Sequence, residues 1–442
     1  VKRFILATLV CLLLSTPAIA GTDGKTTLKE SVVAAVKQHP QIKAMLYNRD
    51  AMSSNLSASL GRFFPSLDFT ADYGYQGYSS STTRAQGKNE GMNTAADSTM
   101  TLTQPIFDGF NRLSDYEGSK YRLQSAEQRL YDNVESIALD AIRSHIDIVR
   151  VRKLVTLAGE NITDHQKVLD SIVERVAGGA GSKADEMQAR GRVARAETTL
   201  ITYMGDLRTS EAQYARLTGV MPGPLTTVDY HPEFANGTLD TMLDKAVANN
   251  PKIKIYMAEL EASKQDKDVT NSTYLPSLDL KLSSRNTDEL DGSETFIQDN
   301  RAMVAFNWNL FNGTSDYHDL QAAKSRVKES EATLQDSVDD LTRQVMTAWA
   351  DYQTAVQSIA KHQEALRYSM ESRDMYLMQF NVGQRSLLDV LDSINEVFSN
   401  SVLLETAQSN RDFSMYKFLA LQGELINNLE VPTKDFDPET ES

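Results

Sequence analysis

The longest regular pattern in the chain runs from Gly313 to Phe380, a stretch with no proline and no internal glycine. Within it, apolar or small residues fall at Leu334, Val338, Leu341, Val345, Ala348, Tyr352, Ala355 and Ile359, in alternating steps of four and three. That spacing lays one stripe along a helix, the seam of a coiled coil. A helix of this length spans roughly 100 Å, about three times the diameter of a small domain. The stripe occurs earlier as well, at Ile137, Ala141, Ser144, Ile148, Val151 and Val155, each 204 positions before its counterpart. A second rod is therefore expected from about Asn111 to Val176, and the chain reads as an internal duplication.

Elsewhere the period changes from helical to two. Leu67, Phe69, Ala71, Tyr73 and Tyr75 alternate with Ser66, Asp68, Thr70, Asp72 and Gly74, and Met100, Leu102, Gln104 and Ile106 alternate with Thr99, Thr101 and Thr103. In the second half, Leu278, Leu280 and Leu282 form a third strand; Ala302, Val304, Phe306, Trp308 and Leu310 form a fourth. Each has one apolar and one polar face. Polar stretches at 79–97 and 286–299 are expected to be the loops joining each pair.

Short helices precede each strand pair, opened by Thr27-Leu28 and Thr238-Leu239 and interrupted by His39-Pro40 and Asn250-Pro251. Phe64-Pro65-Ser66-Leu67-Asp68 matches Leu275-Pro276-Ser277-Leu278-Asp279 at an offset of 211, whereas Phe107-Asp108-Gly109 matches Phe311-Asn312-Gly313 at 204. The difference falls between paired strands, where loops tolerate changes of length. The first rod reverses at Gly178-Gly179-Ala180-Gly181 and the second at Val382-Gly383-Gln384-Arg385.

The expected organisation is a leader over 1–20, a first repeat over 21–219 and a linker over 220–237. The first repeat holds a β-hairpin at 64–110 and a long helical hairpin at 111–219. A second repeat over 238–429 holds a hairpin at 275–312 and a helical hairpin at 313–429, and an acidic, disordered tail occupies 430–442.

The leader reading rests on basic Lys2-Arg3, the apolar run Phe4–Leu14 and the small residues before Gly21, which together make a secretory signal peptide. As a membrane anchor the run falls short of the ~20 residues a spanning helix needs. The one cysteine, Cys11, lies inside it, so the exported chain would contain neither disulfides nor a reactive thiol. Cleavage would move the net charge from −15 to about −17, a balance opposed to nucleic acid and anionic headgroups as partners.

Four strands cannot close a barrel, because the smallest membrane barrels need about eight, and an isolated sheet would expose its edges. Three copies would supply twelve strands, apolar residues outward to lipid and polar residues inward to a wet lumen. Tyr73, Tyr75, Tyr78, Phe107, Trp308 and Phe311 stand near strand ends, where interface aromatics are expected. The alternative is a soluble sandwich with those aromatics in its core. The fold class expected is thus an α+β membrane protein, mainly long coiled-coil helices, with four β-strands per protomer contributing to a trimeric barrel.

The duplicated Pro-Ser-Leu-Asp and Phe-(Asp/Asn)-Gly motifs, with Phe-Asn-Val-Gly-Gln-Arg-Ser-Leu-Leu-Asp-Val-Leu-Asp at 380–392, resemble the TolC family of outer-membrane channel proteins. The resemblance covers about Thr26 to Leu429. It implies a homotrimer, a 12-stranded barrel in outer-membrane lipid and a helical tunnel across the periplasm. It also implies docking to an inner-membrane transporter, an ABC transporter or an RND pump, through a periplasmic adaptor protein. The turn Arg175–Asp185 looks most like the branch serving type I secretion, including export of large adhesins; a drug-efflux channel is the alternative within the family, and a secreted coiled-coil scaffold or adhesin the alternative outside it.

By the same resemblance, Asp389 and Asp392 occupy positions that form aspartate rings at the periplasmic entrance. Arg385 matches an arginine that bonds the neighbouring hairpin turn and holds the entrance shut, and Asp185 matches its acidic partner. Phe380 stands where some members carry tyrosine, so a hydroxyl-mediated link is lost. Six carboxylates around a narrow mouth would attract cations and repel anions. Helix capping is the competing account: Ser182-x-x-Asp185 and Ser386-x-x-Asp389 both fit a cap followed by an acid in the first turn. Gly178, Gly179, Ala180, Gly181, Val382, Gly383 and Gln384, at the free end of the rods, are the expected adaptor contacts.

No nucleophile motif appears, and the glycines at 178–181 join two helices rather than following a strand as a phosphate loop does. His39, His145, His165, His231, His318 and His362 show no metal-ligand spacing and are expected on the surface. No cofactor and no enzyme activity are expected.

Overall fold

The computed structural model describes residues 24–87, 91–229, 231, 237–292 and 295–432. The expected leader, Pro232 of the linker and residues 433–442 of the tail lie outside the described residues.

Each half opens with two short helices, α1 (Leu28–Gln38) and α2 (Pro40–Gly61) in the first, α6 (Leu239–Asn249) and α7 (Pro251–Asn271) in the second. Local chemistry fixes their ends. Thr27 accepts from the backbone of Glu30 while Glu30 reaches back to the backbone of Thr27, a reciprocal capping box. Pro40 and Pro251 stand at the first helical position, where the missing N–H costs nothing. Asn250 caps α7 by accepting from Lys252 N at 2.9 Å.

The four strands are β1 (Ser66–Gln76), β2 (Asn93–Phe107), β3 (Ser277–Asp288) and β4 (Ile297–Asn307), antiparallel in the order β1-β2-β3-β4. The register aligns the faces across the whole sheet: Leu67 lies opposite Leu102, Leu102 opposite Leu282, and Leu282 opposite Ala302. Phe69, Met100, Leu280, Val304 and Phe306 extend this apolar face, and Asp72, Asp97, Arg285 and Thr99 lie on the other. A bulge between Pro105 and Phe107 places Phe107, not Ile106, opposite Leu278. The strands reach further into the connecting segments than the alternation suggested. β2 begins at Asn93 and β3 continues to Asp288, while Trp308 and Leu310 lie beyond β4. The first loop also holds a five-residue helix, α3 (Ser81–Ala85), capped by Ser80 and Thr83.

The rods are α4 (Asn111–Ala177) and α8 (Ser315–Asn381), 67 residues each, followed by α5 (Lys183–Thr218) and α9 (Leu387–Leu421). Both rods start the same way, with Gly109 and Phe110 at φ 69° and 68°, and Gly313 and Thr314 at φ 58° and 71°. The seam residues Leu341, Val345, Ala348, Ala355 and Ile359 are buried, as are Ile137, Ala141, Ser144, Ile148 and Val151. The rods differ in environment. α4 is central and packs against α1, α2, α5, α7 and α9, whereas α8 packs against α6, α7 and α9.

Leu28, Val32, Val36, Ile42, Ala138 and Ile142 form the largest core, where α1 and α2 meet α4. Val431 and a short helix, α10 (Leu425–Asn428), belong to that core, so the expected tail is packed as far as Val431. Two histidines also correct the expectation of surface positions: His145 and His165 are 0% and 3% exposed. They face inward because α4, at the centre, buries more than one stripe. His145 sits in a polar chain. Its Nε2–H donates to Thr226 O (2.9 Å), Ser31 Oγ lies 2.9 Å from its Nδ1, and Tyr214 Oη lies 2.8 Å from Ser31 Oγ. The linker is thereby fastened beside Thr26, which donates its N–H to Pro224 O (2.8 Å) and accepts from Thr226 N (3.0 Å).

Candidate channel mouth at the helical tips

The rods reverse together at the end remote from the sheet. Val168 and Ile172 of α4 pack with Phe380 of α8 and with Leu387, Val390, Leu391 and Ile394 of α9. This apolar knot joins the two helical hairpins. Phe380 is 6% exposed, and the Arg175 guanidinium lies over its ring at 4.3 Å while donating to Phe380 O at 3.3 Å. Phe380 is thus a core residue of the tip, and the aromatic ring holds its place there without a hydroxyl.

Charged groups surround the knot. Ser386 accepts from Asp389 N at 3.2 Å, so Asp389 stands in the capped first turn of α9. Arg385 lies 3.6 Å from the Asp389 carboxylate and 3.9 Å from the centre of the Tyr376 ring. Within the protomer it therefore engages its own hairpin, and it forms no hydrogen bond or ion pair with Asp185 among the described residues. Asp185 lies in the first turn of α5, whose cap Ser182 accepts from Ala184 N at 3.2 Å. Asp392, one turn further along α9, accepts from Arg192 of α5 at 2.7 Å. A second bridge links the hairpins: Arg373 of α8 lies 3.6 Å from Asp164 of α4.

Sequence reasoning gave no role to Arg192, Arg373 or Tyr376, and named Arg175 only as the start of the first turn. All four lie on regular helix, Arg175 and Tyr376 just before the two turns and Arg192 and Arg373 further along, and the packing of α4 and α5 on α8 and α9 brings them together at the tip. The turn residues stay open to solvent: Gly178, Gly179, Ala180, Val382, Gly383 and Gln384 are exposed, and Gly181 is half-buried. Glycine at 179 and 383 suits φ values of 75° and 78°.

At the other end, the sheet shows its apolar face to the surroundings. Phe69, Tyr73, Tyr75, Val304 and Phe306 are each more than half exposed, as are Trp308, Leu310 and Phe311 just past β4. No helix among the described residues is long and apolar enough to cross a membrane. Alternating strands with an unburied apolar face are instead the pattern of a barrel wall. The molecule is a protomer of an outer-membrane channel, with strands for the barrel and paired rods for the periplasmic tunnel.

The chain belongs to the outer membrane efflux protein family, whose model matches residues 32–220 and 242–419, the TolC-like family that the duplicated motifs resemble. It is 22% identical over 341 residues to the outer membrane efflux protein BepC of Brucella suis, covering 76% of this chain and 74% of that one. It is 24% identical over 388 residues to the proteases secretion protein PrtF of Dickeya chrysanthemi, covering 83% and 81%. Its fold matches the Campylobacter jejuni CmeC outer membrane channel with a TM-score of 0.81 and 15% identity, over 93% and 90% of the two chains.

Proposed function

We propose that three copies of this chain form the passive exit duct of a tripartite export system serving type I secretion of protein, a large adhesin being the kind of cargo expected. Its likeness to a protease secretion protein over 83% of the chain carries this reading. The open four-stranded sheet supports the trimer, since twelve strands close a barrel of ordinary size. The duct itself binds no nucleotide; an inner-membrane ABC transporter, reached through a periplasmic adaptor, supplies the energy. Asp389, Asp392, Arg385 and Asp185 act at the entrance, and the two exposed turns receive the adaptor.

The likeness to an efflux protein favours a second reading, drug export through an RND pump. One pair of measurements separates the two. In a deletion strain, loss of a large secreted protein from the medium or cell surface, with unchanged drug susceptibility, supports the secretion duct. Drug hypersensitivity with intact secretion replaces it with the efflux reading.

A further inference from the structure

The polar face of the sheet carries charges in a fixed order. Asp72 of β1 lies directly opposite Asp97 of β2. Two like charges in that position destabilise a sheet unless each is offset. Asp97 is offset by Arg285 of β3, which donates to its carboxylate at 3.0 Å from Nε and 2.6 Å from Nη2. Arg285 in turn lies opposite Asp299 of β4, and Asp299 pairs with Arg301 on the same strand. Crossing the sheet therefore gives acid, acid, base, acid, base. It begins at the β1 edge with Asp72, which is exposed and makes no ion pair among the described residues. It ends at the β4 edge with Arg301, whose side chain is 62% exposed.

Both edges are bare. Among the described residues β1 pairs only with β2 and β4 only with β3, leaving two rows of unpaired backbone groups. Neighbouring strands alternate in direction, so β4 of one copy and β1 of the next meet antiparallel, in continuation of the sheet. The faces restrict the join further. Leu67 and Phe69 must share a face with Val304 and Phe306, so even-numbered residues of β1 meet odd-numbered residues of β4. A slip by one residue would turn every aromatic into the lumen.

We propose that Arg301 of one copy pairs with Asp72 of the next, directly opposite or on the adjacent diagonal, so that this ion pair sets the register of the seam between protomers. The inference rests on the trimeric duct proposed above and names the residues that close it. Long side chains reach both the opposite and the diagonal neighbour. The seam thereby supplies the partner that Asp72 lacks among the described residues of its own chain. The occupant of each edge is a second copy of this chain, whose charge pattern starts with the sign opposite to the one on which the previous copy ends.

The test is a charge-swap cycle in full-length protein purified in detergent. Asp72→Arg and Arg301→Asp should each lower the temperature at which SDS-resistant trimers dissociate, and the double variant should recover most of the loss. Asp68→Arg combined with Arg301→Asp should show no recovery. If the swapped pair at 72 and 301 falls by the sum of the single losses, the pairing is wrong. A second measurement covers variants that assemble poorly. Cysteines placed at 72 and 301, joined by a short bismaleimide, should give covalent trimers, whereas 72 with 307 should not. Stable trimers with the opposite cross-linking pattern overturn the seam and leave the duct standing; wild-type protein that runs only as monomer overturns both.

Discussion

Arg192 of α5 donates to Asp392 of α9 at 2.7 Å, across the junction of the two helical hairpins. The pair makes the tip partly self-neutralising: Asp392 has a cation of its own protomer beside it, and Asp389 has Arg385. Exposed ion pairs of this kind contribute about 0–1 kcal/mol to stability, so the proposed entrance role rests on the field they would set there.

Selectivity tests that field. Asp389→Ala with Asp392→Ala in a reconstituted channel should weaken cation preference and block by multivalent cations, because three copies lose six carboxylates. Arg192→Ala should shift the reversal potential in a salt gradient the other way, toward cations. Identical reversal potentials in all the variants would remove the entrance role.

Arg385→Ser takes away both the Asp389 contact and the stacking on Tyr376. Single-channel conductance should rise as the turn loosens, with little change in melting temperature. A conductance equal to wild type would leave the arginine a purely structural part.

Two buried groups give the tunnel opposite pH responses. Burial lowers the pKa of His145 below its usual 6.5, so the imidazole is neutral in the fold. Its contribution is present above pH 6.5 and is lost as pH falls below it, where the unfolded chain takes up the proton first. Burial raises Glu135 to about 7 from 4.5, partly offset by the backbone N–H of Ile426 that its carboxylate accepts. That contribution is present below pH 4.5 and lost as pH rises through 7. Thermal melts of Glu135→Gln should therefore lose the decline on the alkaline side. His145→Ala should lose the acidic decline while costing about 1–3 kcal/mol for the polar groups it strands. Unaltered pH profiles would refute the assignments.

Matching glycines at the heads of the rods give a paired comparison. A Cβ on Gly109 would lie 2.7 Å from Ser272 O and 2.8 Å from the Leu275 side chain, whereas one on Gly313 meets nothing within 4 Å. Both have positive φ, which costs an L-residue about 1–2 kcal/mol. Gly313→Ala should thus be mild. Gly109→Ala should melt markedly lower and yield fewer trimers; equal losses would show that the close approach at Gly109 relaxes freely.

The rods, hairpins and turns were legible because each is a periodic local signal. The seam from Leu341 to Ile359 and the alternation from Leu67 to Tyr75 state the element and the buried or apolar face together. The tip was legible at and just beside its turns, through Phe380, Arg385, Asp185, Asp389, Asp392 and the caps Ser182 and Ser386. Its remaining members, Arg192, Arg175 and Tyr376, become neighbours through tertiary packing, which a single helical period does not encode. His145 looked like a surface residue for the same reason. Its partners Ser31 and Thr226, with Tyr214 bonded to Ser31, come from three distant segments, and only their convergence turns a polar side chain inward. The strand ends ran past the apolar alternation because polar residues such as Arg285 and Asp97 satisfy each other on the lumen face.

The sheet has a cost before any channel exists. A newly made subunit carries a slab of leucine, phenylalanine and tyrosine through water, with two adhesive margins that none of its described residues covers. Its survival is a race between meeting siblings and clumping with strangers. Concentration therefore matters to this chain as much as fold does, because only an encounter with its own kind covers that face and those margins.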